Sequence, residues 1–175
     1  LHSKTILGHG IYLSTSEKKL LAQKKVSIAH CPTSNAPRSM RGLGSGLCDT
    51  RSLDHFKIRW ALGSDIGAGP YLSMFDVMRS YVVQNQTIGN SSADYVQALF
   101  RSTMAGAEIL GMNHSIGNFS KGKFANFVTL PLPSLKSIAE NPNAILQHLV
   151  QKPPRHALQN LIEKTYYKGE CVFEK

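Results

Sequence analysis

The sequence has 175 residues, 42% hydrophobic and 18% charged, which fits an ordinary globular chain long enough to bury a core. No apolar run approaches the ~20 residues of a transmembrane helix, so no membrane contact is expected. The net charge is +9, but Lys and Arg are scattered and pair only at places such as Lys18-Lys19 and Lys24-Lys25, so no nucleic-acid surface is expected either.

Leu1 is not a methionine, and no basic-then-apolar signal segment follows it. The chain enters a strand almost at once, over Thr5 to Gly8, which reads as an incomplete sequence or a processed fragment. Ser14-Thr15-Ser16-Glu17 matches a capping box, so a helix should open at Ser14 and end near Lys24 or Lys25. Val26 to Ala29 is the next strand. It ends at His30-Cys31-Pro32, because proline forbids continuation. Thr33 to Gly46 is rich in Ser, Gly, Pro and Asn and predicts a long loop. A short helix near Thr50 to Phe56 and a third strand over Ile58 to Leu62 follow. Gly67, Gly69 and Pro70 mark another loop, and Met74, Val77, Met78 and Tyr81 fall at helical spacing within a helix from Ser73 to about Val83.

Two more helices are expected, near Ser92 to Thr103 and Ala105 to Leu110. The glycines of Gly117 to Lys123 predict a hairpin leading into a strand over Ala125 to Leu130. Pro131 to Pro154 reads as irregular, with one short helix. Leu161 to Lys175 reads as a terminal hairpin with Lys168-Gly169 at its turn. Strands alternating with helices at short spacing imply parallel strands with helical crossovers. Three cysteines, Cys31, Cys48 and Cys171, are odd in number and form no C-x-x-C pair, so free thiols in the cytosol are expected.

Each of the first three strands ends in a polar group: His9, His30 and Asp65. Parallel α/β folds keep their reactive groups at that edge. His9 could bind metal or hold a reacting water, or its ring could simply fill a core edge. Asp65 could bind zinc and take a proton from its water, or cap a loop. His30 could orient a neighbour, or be a structural core histidine. His9 and Asp65 lie 56 positions apart, so only adjacent strand ends can bring them together. A catalytic zinc needs at least three protein ligands, and this chain offers no convincing full set. His2, His55, His114, His148 and His156 carry no assigned role.

Leu7-Gly8-His9-Gly10-Ile11-Tyr12-Leu13 resembles the sixth barrel strand of the amidohydrolase superfamily, Ala29 to Asn35 its seventh, and Leu62 to Pro70 its eighth. Ile116 to Ala125 resembles the return into its small β-domain. His30 to Asn35 followed by Leu43-Gly44-Ser45-Gly46-Leu47, together with Ser73 to Arg79, is most similar to the guanine deaminase group. The resemblance implies an α/β fold: the C-terminal part of a (β/α)8 TIM-type barrel, its last three strands and helices in residues 1–115, then strands of a small flanking β-sandwich in residues 116–175. It implies one zinc ion per site in the complete enzyme, a small purine substrate, and hydrolytic deamination of guanine to xanthine and ammonia by a zinc-activated water. By the same resemblance Asp65 binds zinc, substrate and the attacking water, His9 polarises that water or stabilises developing charge, and His30 supports them from behind. Family members are often homodimers.

Three departures stand out. The family's His-x-His and His-x-x-Glu are absent, so the chain alone should be inactive. The loop from Asn35 to Leu43 is longer than usual. Asn126 stands where aspartate is common. The alternatives are a related enzyme acting on another amino-heterocycle, by deamination or dechlorination, and an inactive fragment with a binding role.

Overall fold

The computed structural model describes residues 1–131, 141–158 and 160–175. The capping box forms as the sequence predicts. Ser14 Oγ accepts from the Glu17 amide while the Ser14 amide donates to the Glu17 carboxylate at 2.8 Å, opening α1 (Thr15–Gln23). At its far end Lys25 takes a left-handed φ of 55°. The Lys25 amide donates to Ala22 and the Val26 amide to Leu21, a Schellman closure in which Val26 and Leu21 both reach the core. The closure recurs after α3 (Thr50–His55): Lys57 has φ 57°, its amide donates to Asp54, and the Ile58 amide donates to Leu53. Each closure aims the chain back under its helix and into the next strand.

The strands so fed are β2 (Ser27–His30) and β3 (Arg59–Leu62), with β1 (Ile6–Gly8) before them. They form a three-stranded sheet in the order β1-β2-β3, parallel throughout, with Gly8 opposite Ala29 and Ala29 opposite Ala61. This register brings the three C-terminal strand ends level on one edge. One face of the sheet is sealed by α4 (Met74–Thr87) and α5 (Tyr95–Ser102). Ile28, Trp60 and Leu62 pack there with Val77, Met78, Tyr81, Val82, Tyr95 and Ala98. Trp60 anchors the layer: its Nε1 donates to Asp54 at 2.8 Å, and the Arg101 guanidinium lies 3.9 Å above its ring while pairing with Asp54 at 2.8 Å.

After α6 (Met104–Ile109) the chain reaches a second sheet, antiparallel, in the order β4-β5-β6: Phe127–Thr129, Lys164–Tyr167 and Glu170–Glu174. Phe127 stacks on Tyr166 with centroids 4.4 Å apart. Lys168 and Gly169 both have positive φ, 51° and 89°, and close the expected terminal hairpin. Between the strands, α7 (Pro142–Val150) puts Leu149 and Val150 into the parallel-sheet core, and a short α8 (Arg155–Leu158) follows. The architecture is therefore α/β, with one parallel and one antiparallel sheet. Among the described residues no helix is long and apolar enough to cross a membrane.

The structure corrects several boundaries. The expected loop from Thr33 to Gly46 begins instead with a buried helical turn, α2 (Pro32–Asn35), and contains a 3-10 turn at Arg38–Met40. The proline that ends β2 is pre-organised for a first helical turn, which composition alone did not reveal. α4 runs to Thr87, beyond Val83. The segment from Gly117 to Lys123 is a turn without a preceding strand rather than a hairpin, since β4 pairs with the distant β5. Ala125 and Asn126 lie before β4 and instead bind the β5–β6 turn, through Gly169 N to Ala125 O at 3.0 Å and Lys168 N to Asn126 Oδ1 at 2.7 Å. The short helix expected in the stretch from Pro131 to Pro154 is α7, and residues 132–140 of that stretch lie outside the described residues.

Candidate metal centre

His9 and Asp65 follow β1 and β3, and both adopt left-handed φ values, 69° and 51°. For non-glycine residues this conformation costs on the order of 1 kcal/mol each, and such strain clusters at functional sites. The surroundings over-determine it. The His9 amide donates to Ala29 O at 2.8 Å, and the Asp65 carbonyl accepts from Gly69 N at 2.6 Å. Gly69 is required there, because a Cβ would lie 2.3 Å from the Ser64 carbonyl oxygen.

The result is convergence. His9 Nε2 lies 4.0 Å from Asp65 Oδ2, and both side chains remain partly open to solvent. Cys31, just past β2, completes a group with His9 and Asp65 in which one donor atom from each lies within 4.8 Å of the others. Asn35 of α2, only 3% exposed, brings its side-chain amide to His9 Nδ1, with Nδ2 at 3.1 Å and Oδ1 at 3.3 Å.

His30 sits elsewhere. Strand alternation turns its side chain, with that of Ile28, to the helical face of the sheet. It is fully buried there, edge-on to Trp60 and Tyr81 with centroids 6.2 Å apart in each case. Neither ring nitrogen has a hydrogen-bond partner among the described residues. Burial, with a smaller contribution from His9, pushes its pKa down to about 3, so the ring is neutral at physiological pH. The sequence reading thus brought two of its three residues to one place and missed Cys31 and Asn35. The missed signal for Cys31 was the same alternation: if His30 faces the helices, Cys31 faces the other way.

The donors present suit zinc, which takes imidazole nitrogen, carboxylate oxygen and thiolate sulfur at about 2.0–2.3 Å. Among the described residues they number three, one from each of the residues that follow the strand ends. Burial pushes the Cys31 thiol up to about 11, the Asp65 carboxylate acts in the same direction, and the His9 backbone amide opposes both. Cys31 is therefore a neutral thiol unless a cation displaces its proton. Cys48, also buried, is pushed up to about 12, whereas Cys171 is exposed. Iodoacetamide near pH 8 should accordingly alkylate one thiol of the native protein, Cys171, with Cys31 and Cys48 reacting only after denaturation. Mass spectrometry of the digested product reads this out, and rapid modification of Cys31 in the native state would contradict the buried geometry.

The sequence pattern of the amidohydrolase family matches residues 1–155. The chain is 31% identical to the guanine deaminase of Escherichia coli strain K12 over 97% of its own length and 38% of that enzyme's. It is 34% identical to rat (Rattus norvegicus) guanine deaminase over 70% of this chain and 27% of the rat protein. The chain thus spans well under half the length of these curated relatives. Among solved structures, E. coli guanine deaminase superposes with a TM-score of 0.84 at 28% identity, covering 97% of this chain and 39% of that one. An adenosine deaminase from Xanthomonas campestris with bound zinc superposes with a TM-score of 0.78 at 27% identity, covering 99% and 38%. With the pattern spanning most of the sequence and the two strand-end residues converging at one edge, this chain belongs to the amidohydrolase family.

Proposed function

We propose that this chain is the C-terminal portion of a cytosolic zinc-dependent aminohydrolase that converts guanine and water to xanthine and ammonia. The observation that carries the reading is the approach of His9 Nε2 to Asp65 Oδ2 from two strand ends 56 positions apart, at 4.0 Å. In this reading β1, β2 and β3 are the last three strands of a (β/α)8 barrel, and β4 to β6 belong to a small β-domain. Asp65 would hold the zinc. When bound, zinc lowers the pKa of a water to ~7 and so makes a nucleophile available at neutral pH. The Asp65 carboxylate can accept a proton and contact the purine. His9 Nε2, facing the same point, can hold a proton against charge developing on the substrate or on the departing ammonia. The family's His-x-His and His-x-x-Glu are not found in this sequence, and the greater length of the relatives leaves room for such residues outside this part.

Action on a different amino-heterocycle is the second reading, favoured by the likeness to the Xanthomonas adenosine deaminase. A chimera separates the two: this chain replaces the matching C-terminal part of E. coli guanine deaminase, and guanine and adenosine are each offered as substrate. Xanthine release is the expected result. Zinc-loaded, folded chimera that turns over adenosine but not guanine moves the assignment to the second reading. The unfused chain with added zinc is expected to release no xanthine, and sustained turnover by it would overturn the proposal that it is only a part.

A further inference from the structure

We propose that the cavity between the loop after α2 and the last turns of α4 is a binding site for a small aromatic acid that carries an N–H group. The site is separate from the metal edge. Of the residues described there, Asn35 alone borders the cavity, and His9, Cys31 and Asp65 do not. The proposal therefore stands without the deaminase reading.

The cavity owes its existence to the way the loop is closed. The Leu43 amide donates to Ser34 O at 2.7 Å and the Gly44 amide to Ala36 O at 2.8 Å, so the two ends are tied together and residues 37–42 stand out as a lobe. Gly42 permits the fold-back, since a Cβ there would lie 2.1 Å from the Ala36 carbonyl oxygen. Within the lobe the 3-10 turn Arg38–Met40 ends at Arg41, which takes a left-handed φ of 66°. The lobe forms one wall, and α4 from Val83 to its end forms the other. Between them lies a space of about 540 Å3, inside the range of ~300–1,000 Å3 usual for small-molecule sites.

The walls specify what fits. Met40, Leu47, Val83 and Ile88 make the lining mainly apolar, which suits a ring body. Arg38 is the one charged residue bordering the space, and its exposed guanidinium has no ion-pair partner among the described residues. A planar guanidinium takes a carboxylate or a similar oxyanion through two parallel N–H bonds. Gln84 supplies the complement. It is only 7% exposed, and its Nε2 donates to Pro32 O at 2.9 Å and Ser80 Oγ at 2.7 Å, with Ser80 O at 3.2 Å. Two of these partners are carbonyl oxygens, which only accept, so the amide nitrogen must face them and the oxygen must face away. That oxygen meets no donor among the described residues, and Gln84 borders the cavity. A buried acceptor without a donor is costly, and an N–H on the ligand relieves it. Arg38 repels a cation, and a bare inorganic anion leaves the apolar walls wet.

Anilinonaphthalene sulfonate carries all three features, a fused ring body, one sulfonate and one N–H, and serves as the probe. It is titrated into the 175-residue chain labelled with 13C at the methionine methyls. Met40 borders this cavity, whereas Met74 and Met78 border a different apolar cavity between the start of α4 and β4. A saturable shift of the Met40 methyl, assigned by its loss in Met40→Leu, is expected, with Met74 and Met78 unmoved. Arg38→Gln changes an exposed side chain and should weaken the probe by about tenfold or more. Naphthalene sulfonate, which lacks the N–H, should bind more weakly than the probe. Shifts confined to Met74 and Met78, equal affinity in Arg38→Gln, or equal affinity of the two sulfonates would each overturn the proposal.

Discussion

Replacing Asp65 with alanine in the guanine deaminase chimera is expected to remove bound zinc and deaminase turnover together. Among the described residues Asp65 is the only carboxylate in the cluster with His9 and Cys31. Loss of a partner that merely supports a metal ligand typically costs 10–100-fold in affinity or activity. Loss of the ligand itself should exceed that. Asp65 also holds a left-handed φ of 51°, so alanine adds a backbone penalty of about 1 kcal/mol that could be mistaken for a site effect. Asp65→Asn separates the two, since asparagine tolerates that conformation while losing the charge. Atomic absorption should find zinc well below one equivalent in both variants, with circular dichroism unchanged in Asp65→Asn. Stoichiometric zinc with near-normal kcat in Asp65→Ala would remove Asp65 from the metal site.

The second large effect concerns stability in acid. His30 ordinarily titrates near 6.5 when unfolded but near 3 in the native chain, first because burial disfavours its charged form and second because His9 lies close by. A depressed native pKa means that the unfolded chain binds the extra proton more readily. The contribution is therefore fully present above about pH 6.5 and is lost progressively as pH falls toward 3. At roughly 1.4 kcal/mol per pKa unit, as much as about 3 kcal/mol should be gone by pH 4.5. His30→Leu removes the titrating group and two unpartnered ring nitrogens from the core while keeping an apolar side chain between Trp60 and Tyr81. Urea unfolding followed through Trp60, the only tryptophan, should show a clearly shallower loss of stability between pH 6.5 and 4.5 in the variant. Parallel losses in both proteins would mean that His30 reaches water in the native state.

These outcomes bear on different links between sequence and site. The elements were readable where local physics sufficed. The capping box at Ser14 stops one chain direction and starts a helix in the way four residues predict. The Lys168-Gly169 hairpin turn is equally local. The three apolar runs ending in His9, His30 and Asp65 located the strand ends to within a residue or two. Their identities, with the motifs around them, also carried the resemblance to amidohydrolases. The helical turn at Pro32–Asn35 escaped because the Ser, Gly and Pro content of its neighbourhood outweighed the one proline that begins it. Burial against α4, not propensity, stabilises that turn.

His9, His30 and Asp65 were marked in the sequence as candidates, but which of them meet was not. A histidine at a strand end looks the same whether its ring turns to the reactive edge or to the helices. In this fold His9 turns one way through a left-handed backbone, and His30 turns the other through strand alternation. Cys31 and Asn35 lie within the run that carries the resemblance but were given no role there, and they enter the site because parallel registration levels three strand ends and packing against α4 pins the turn that follows β2. Local interactions specify elements one at a time, whereas a site is a set of distances between residues remote in the chain, and those distances exist only once the sheet and its helices have packed.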